Sequence, residues 1–297
     1  MNLIMQKEGL EKVGVIGLGI IGSRVAESLR KTDRDVYVWN RSPKPVPNFL
    51  GSPGEVAQLA DIIQIFVSNG EALKEVIESL KDNLEKRHVI IASGTSDPES
   101  VVDAYQTVRE RGAAFLDVPF TGSRGAAEKS ALVYYVGGDA RVLERVRPFL
   151  EASSREILYL GRVGEASLIK IATNMISAVT TEVLAEAYGL VVTAGVDPNR
   201  FAAALEQNAC YSGLIAMKLP QILARDYEPH FSLKHMFKDA QYALSLGKQL
   251  GVEEPVLSTT ASVMFRSMQK GLGEMDYSVL AERYQGGLEG GEKAAAV

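Results

Sequence analysis

Short apolar runs alternate with helix-period segments through the first half of the chain. Runs at 13–17 (VGVIG), 36–39, 61–67 (DIIQIFV), 88–93 (HVIIAS), 114–118, 132–136 and 156–160 read as strands, most of them rich in Val and Ile. Between them, apolar positions recur at helical spacing over 20–31, 52–60, 71–81, 98–111 and 140–151. Ser52-Pro53 supplies an N-cap with Pro at the first helical position, and Asp139 is a second N-cap. Strands alternating with helices of about 10–15 residues predict a parallel, doubly wound sheet of Rossmann type.

The pattern changes near Gly161. From Val163 onward the periodicity is helical, and no run reads convincingly as a strand. One long helix is predicted over 163–194, closed by Gly195 as a C-cap. Asp197-Pro198 starts the next helix, and Ser232 and Asp276 are N-caps of later ones. The fold class is therefore α/β. An N-terminal Rossmann-type domain over 11–162 is joined by a long helix to an all-α domain over 163–285. The Gly-rich, low-complexity stretch 286–297 reads as a mobile tail. The apolar stretch 166–196 is long enough to span a bilayer, but it carries Lys170, Asn174, Glu182 and Glu186. Such groups are costly in hydrocarbon, so a core helix is expected and no membrane partner.

Composition narrows the function. With 46% hydrophobic and 23% charged residues, the 297-residue chain matches a folded protein of two domains. Its net charge of -5 argues against nucleic acid, whose phosphates call for a basic stripe. Cys210 is the single cysteine, which fits a reducing, cytoplasmic setting. His88, His230 and His235 do not pair at metal-ligand spacing, so no metal is expected. The first twelve residues lack the pattern of a secretory signal.

The first predicted strand runs into Gly17-Leu18-Gly19-Ile20-Ile21-Gly22 and then an apolar helix. A GxGxxG in that context is a dinucleotide turn. Gly17 allows the tight turn, Gly19 lets a pyrophosphate approach the backbone, and Gly22 lets helix and strand pack closely. After the second strand, an NAD site wants a carboxylate for the ribose hydroxyls. Asn40-Arg41-Ser42 stands there instead, with Lys44 beyond. A guanidinium suits a 2′-phosphate, so NADP (NADPH) is expected ahead of NAD. The other reading makes Arg41 a solvated turn residue in a site that takes both.

Lys170 and Asn174 lie four apart on one face of the long helix. Burial of Lys170 among Leu168, Ile169, Ile171 and Ala172 would lower its pKa toward the range useful for proton transfer. The alternative is a lysine that snorkels from an amphipathic helix. The residues alone leave both open.

Four blocks in order resemble the β-hydroxyacid dehydrogenase family, from Lys12 to about Gln285. They are the GLGIIG turn, the run Asp117-Val118-Pro119-Phe120-Thr121-Gly122-Ser123, the segment Gly161-x-x-Gly164 with Lys170 and Asn174, and the pair Lys238-Asp239. The resemblance implies that Lys170 is the catalytic acid/base. It implies that Thr121, Gly122 and Ser123 hold a substrate carboxylate and that Asn174 orients the substrate. Thr95 is implied beside the nicotinamide, Val67 and Ser68 along the cofactor ribose, and Lys238 as a lysine closing on the cofactor. Thr121, Thr173, Ser130 and Gly94 depart from the family's usual serine, asparagine, glycine and serine. The run Gly122-Ser123-Arg124-x-x-Ala127-Glu128 is closer to the glyoxylate/succinic semialdehyde reductase branch than to 3-hydroxyisobutyrate dehydrogenases. The helical half is too small for a 6-phosphogluconate dehydrogenase.

The expected function is NADP(H)-dependent hydride transfer with a small β-hydroxy acid or aldehyde acid, in a cleft between the domains. The alternatives are a 3-hydroxyisobutyrate dehydrogenase using NAD, an imine reductase, and a non-catalytic NADP-binding protein. The long helix is apolar on more than one face, at Met175, Ile176, Val179, Val183, Leu184 and Val191, which predicts a homodimer or homotetramer.

Overall fold

The apolar runs of the first half become strands of one sheet. A computed structural model describes residues 11–284, which fall into two units, one running to Lys170 and one beginning at Ile171. Residues 1–10 and 285–297, the predicted tail over 286–297 among them, lie outside the described residues.

The first unit runs β1 (Glu11–Ile16), α1 (Ile20–Arg30), β2 (Arg34–Trp39), α2 (Pro53–Leu59), β3 (Ile62–Ile65), α3 (Gly70–Leu80), β4 (Val89–Ala92), α4 (Pro98–Glu110) and β5 (Ala114–Asp117). It continues with β6 (Phe120–Thr121), α5 (Arg124–Glu128), β7 (Leu132–Gly138), α6 (Ala140–Glu151) and β8 (Ser154–Gly161). The sheet order is β2-β1-β3-β4-β5-β7-β6, with β8 also on β7. β1 to β5 are parallel throughout. Val89 and Ile91 of β4 face one core with α1 and α6, while Ile90 and Ala92 face another with α2, α3 and α4. Burial on both faces explains the continuous apolar runs, which a half-exposed strand would not show.

The far edge departs from the expected parallel sheet. β7 is antiparallel to both β5 and β6, and β8 is parallel to β7. A parallel return needs a crossover long enough to lie along the sheet, and five-residue α5 is too short for that. β6 and α5 escaped prediction because two and five residues hold no measurable periodicity.

The long helix is α7 (Glu165–Thr193). It begins two residues later than predicted because Gly164, at φ +91°, is not helical. It ends as expected, with Gly195 at φ +79° and the Val196 N–H bonded back to the Val191 carbonyl. α8 (Pro198–Glu206), α9 (Gly213–Ala224), α10 (Leu233–Leu250), α11 (Pro255–Gln269) and a 3-10 helix over Tyr277–Tyr284 follow. Among the described residues from Ile171 onward there is no strand. One face of α7, with Ile171, Ala178, Leu184, Ala185 and Tyr188, enters the core of this unit.

Two predicted caps act differently from expectation. The Ser232 hydroxyl pairs with His235 Nδ1 at 2.8 Å instead of capping α10. Asp276 does accept from the Ser278 N–H, but it caps a 3-10 helix and does far more. Its buried carboxylate also takes the Ser278 hydroxyl, the His230 and Phe231 N–H groups, and the Lys218 ammonium at 2.7 Å. A buried ion pair is tolerable only when its remaining hydrogen-bonding capacity is met, and here it is. Helix α7 is long and apolar enough to cross a membrane by length and composition. Its Glu182, 3% exposed, pairs with Arg283 within the helical unit.

Candidate active site

The nucleotide-facing candidates collect at the carboxyl ends of adjacent parallel strands. Gly17 follows β1, Asn40-Arg41-Ser42 follows β2, Val67 and Ser68 follow β3, and Thr95 follows β4. Backbone bonds join these ends: Gly17 N–H to the Trp39 carbonyl at 2.8 Å, Phe66 N–H to Ile16 at 2.7 Å, and Ser93 N–H to Ile65 at 2.8 Å. β1 lies between β2 and β3, so the chain reverses its winding direction at the glycine turn. Open α/β sheets bind ligands in the crevice at such a switch point.

Each glycine of the turn has its own constraint. Gly17 sits at φ +92°, and a Cβ there would lie 1.9 Å from the Phe66 carbonyl oxygen. A Cβ on Gly22 would lie 2.0 Å from the Gly17 oxygen. On Gly19 it would meet nothing within 4 Å. Gly17 and Gly22 are thus required by the fold itself, while Gly19 leaves an open cradle over the start of α1. No side chain caps that helix, so its first N–H groups and partial positive charge face the opening. The turn fits a dinucleotide pyrophosphate.

The remaining turn residues divide by role. Leu18 is 2% exposed and Ile21 packs on the same core, so both offer backbone only. Ile20 and Gly19 are exposed. The Asn40 side chain is spent within the protein, accepting from the Leu18 N–H at 2.8 Å and donating to the Ser42 carbonyl at 2.8 Å. Lys44, which carried no assignment, donates to the Leu18 carbonyl. Arg41 and Ser42 are exposed. Gly94, where the family usually has serine, has no room for a side chain, since a Cβ would lie 2.4 Å from the Val67 carbonyl oxygen.

Thr121 is the second residue of β6, Gly122 turns at φ +136°, and Ser123 is the N-cap of α5 with its hydroxyl unused for capping. This segment is fastened to the dinucleotide helix. Arg24 of α1 pairs with Glu128 of α5 at 2.8 Å, and the Ser28 and Ser130 hydroxyls meet at 2.8 Å. Ser130 stands at φ +51°, which accounts for the family's usual glycine there. The Ser28 bond offsets part of the cost of a side chain in that conformation.

Lys170 and Asn174 lie one turn apart on α7, each 8% exposed. Asn174 Nδ2 donates to Asp239 Oδ2 at 2.6 Å. Lys238 Nζ lies 2.9 Å from Asp239 Oδ1, an ion pair without directed hydrogen-bond geometry, and 4.7 Å from the Tyr242 ring centroid. Asn174 and Lys238 thus share one buried carboxylate. Asp239, named in sequence only as half of a pair, organises both.

Asp117 is the second residue whose role was not legible. It is fully buried at the end of β5. Oδ2 accepts the Gly164 and Ser167 N–H groups, both at 3.0 Å, and Oδ1 accepts the Ser167 hydroxyl at 2.7 Å. The N-cap position of α7 is Gly164, which has no side chain, so the capping oxygen comes from a strand 47 residues earlier. A cap read from sequence must be adjacent, and this one is not.

A family profile described as the NAD binding domain of 6-phosphogluconate dehydrogenase matches residues 12–161. A second, described as NAD-binding of NADP-dependent 3-hydroxyisobutyrate dehydrogenase, matches 164–284. Glyoxylate/succinic semialdehyde reductase 2, chloroplastic, of Arabidopsis thaliana is 28% identical over 284 residues, covering 92% of this chain and 79% of that protein. The cytokine-like nuclear factor N-PAC of Anopheles gambiae is 29% identical over 283 residues, 92% of this chain but 50% of its own length. The solved 3-hydroxyisobutyrate dehydrogenase of Mycobacterium tuberculosis with L-serine superimposes with a TM-score of 0.84 at 21% identity, covering 92% and 99% of the two chains. An imine reductase from Myxococcus stipitatus has a TM-score of 0.63 at 17% identity, covering 93% and 99%. At those identities the two structures speak for the fold.

Fold and profiles together define an NAD(P)-dependent oxidoreductase with a Rossmann-type nucleotide domain and a helical C-terminal domain. The chain belongs to the β-hydroxyacid dehydrogenase family.

Burial raises the Asp117 carboxyl from 3.8 to about 6, against the opposing pull of its hydrogen bonds from Ser167 and Gly164. The folded protein therefore holds this proton more tightly than the unfolded chain. Stability contributed by the group is full below about 3.8 and lost as pH rises through about 6. Asp117→Asn removes the titration. Between pH 4.5 and 7.5, wild type should lose about 2 kcal/mol relative to this variant in urea unfolding. Parallel pH profiles for the two proteins would contradict it.

Proposed function

We propose that the protein is an NADP(H)-dependent reductase of small aldehyde acids, of the glyoxylate/succinic semialdehyde type, working in reverse on the matching hydroxy acids. The observation that carries this reading is Lys170, an ammonium buried on the face of α7 that also bears Asn174. A buried lysine is a candidate for proton transfer, and its place one turn before Asn174 matches the family's Gly161-x-x-Gly164 segment with Lys170 and Asn174. The relative from Arabidopsis thaliana and the Gly122-Ser123-Arg124-x-x-Ala127-Glu128 run support the aldehyde-acid branch.

The nicotinamide, when bound, supplies or accepts the hydride. The chain's own residues do the rest. In reduction the Lys170 ammonium gives its proton to the carbonyl oxygen, and in oxidation neutral Lys170 takes the hydroxyl proton. The Thr121 and Ser123 hydroxyls and the Gly122 backbone hold the substrate carboxylate. Asn174, its Nδ2 committed to Asp239, is assigned by the resemblance to orienting the substrate. The α1 N-terminus and Gly19 hold the pyrophosphate, with Val67, Ser68 and Thr95 along the ribose and nicotinamide. Lys238, steadied by Asp239, contributes positive charge toward the cofactor. Arg41 reads the 2′-phosphate, and Lys44 braces the glycine turn through the Leu18 carbonyl.

The protein is further proposed to be a homodimer or a dimer of dimers. Ile169, Ile176, Val183 and Leu190 recur every seven residues on α7 and are 37%, 65%, 53% and 74% exposed. An apolar stripe of that length calls for cover, and a second copy of α7 supplies it. Light scattering at micromolar concentration should give at least twice the chain mass. A monomer would remove this assignment.

Arg41→Ala should weaken NADP binding by about 1.5–3 kcal/mol, the scale of hydrogen bonds to a charged group, and leave NAD nearly unchanged. Equal losses for both cofactors would show that Arg41 does not discriminate between them.

Wild type assayed with aldehyde acids, hydroxy acids and cyclic imines, each with NADPH and NADH, should turn over aldehyde acids with NADPH. In Lys170→Ala, kcat should fall by at least about 100- to 10,000-fold, while NADPH affinity by fluorescence titration changes by less than about 1 kcal/mol. Activity on imines alone would favour the imine reductase reading. NADPH binding without any turnover would favour a non-catalytic role, and near-wild-type kcat in the variant would dismiss Lys170 as the acid.

A further inference from the structure

We propose that Asp117 is a positioning residue for the reaction: it holds the first turn of α7, and with it Lys170, in register with the strand that leads into Thr121-Gly122-Ser123. The proposal rests on the assignment of Lys170 as proton donor made above.

A helix N-terminus needs acceptors for its first N–H groups, and a side chain of the N-cap residue is the usual source. Gly164 has none. A local cap would satisfy those groups yet leave the helix able to shift with its own loop. Asp117 is not local. It is the last residue of β5, paired with Ala92 of β4 on one side and Gly137 of β7 on the other, so its place is set by two neighbouring strands. Its two oxygens grip α7 at three points, and every partner is buried: Gly164, the Ser167 backbone and the Ser167 hydroxyl.

The grip sits between the two substrate-handling segments. Lys170 follows Ser167 by three residues, less than one helical turn. Thr121 follows Asp117 by four residues. Arg162 and Glu165 also pair at the head of α7, but they are three residues apart on the surface, and their bond joins the helix to its own loop. Proton transfer requires heavy atoms about 2.6–3.2 Å apart, and a displacement of about 1 Å can cost about 100-fold in rate. A carboxylate that fixes the start of α7 on the end of β5 controls that displacement.

The test compares wild type with Asp117→Ala, Asp117→Asn and Ser167→Ala. Asp117→Ala should lower kcat about 100-fold on the best aldehyde acid, with KM and the NADPH Kd changed by less than about threefold. Asn can accept both N–H groups through its amide oxygen and donate to the Ser167 hydroxyl through Nδ2. It should recover kcat to within about fivefold of wild type, and Ser167→Ala should lose about three- to tenfold. A second readout needs no activity. Acetic anhydride labelling of Lys170, quantified on its peptide by mass spectrometry, should rise at least about fivefold in Asp117→Ala, while Lys44 labels as in wild type.

Should Asp117→Ala fail to fold, raised Lys170 labelling in Ser167→Ala with unchanged NADPH affinity carries the same support. A folded Asp117→Ala with wild-type kcat and labelling overturns the proposal. So does a joint loss of kcat and NADPH affinity with labelling unchanged, which would mark a defect of the nucleotide domain. If wild type turns over no aldehyde acid, the functional reading fails by itself, and labelling alone decides whether Asp117 places Lys170.

Discussion

The structure turns on one buried carboxylate that caps a helix it does not belong to. Asp117 lies at the end of β5, where the parallel strands meet the antiparallel edge, and accepts three hydrogen bonds from the start of α7. Burying a carboxylate is costly, and the upward shift of its pKa measures that cost. The helix offsets part of it, because its uncapped N–H groups and dipole both favour negative charge at that end. The longest helix of the described residues thus begins at a point chosen by the sheet. Lys170, three residues beyond Ser167, inherits its place from that choice.

The nucleotide end of the first unit relies on backbone more than on side chains. Gly17 and Gly22 are bare because protein backbone occupies the space a Cβ would take, whereas Gly19 is bare with nothing opposite it. That difference separates glycines needed for folding from the glycine suited to a ligand, which the motif alone cannot do. Around the turn, Asn40 and Lys44 brace Leu18 from its N–H and its carbonyl, so residues of a cofactor loop serve partly as scaffolding.

In the helical unit, charge is buried in pairs and triples. Asp239 gathers Asn174 and Lys238, and Asp276 gathers Lys218 with the backbone ahead of α10. Each carboxylate joins segments far apart in sequence, and each is costly unless all its partners are present. Such hubs specify one arrangement of helices that pack otherwise through interchangeable apolar contacts.

Much of the architecture was legible in the residues. The strands β1 to β5, the helices between them, the glycine turn, the Ser52 and Asp139 caps and the Gly195 stop all follow from patterns confined to windows of a few residues. The short β6 and α5 and the antiparallel turn of the sheet at β7 did not, since they depend on where a brief segment finds a partner. The candidate site divided in the same way. Glycine spacing, the Asn40-Arg41-Ser42 loop and the Lys170–Asn174 face are written locally. The carboxylates that arrange them are bonded across 47 to 65 residues of chain. Periodicity and capping act through neighbours along the backbone, so sequence determines them. The partner of a buried polar group is set by packing, and only the tertiary structure decides it.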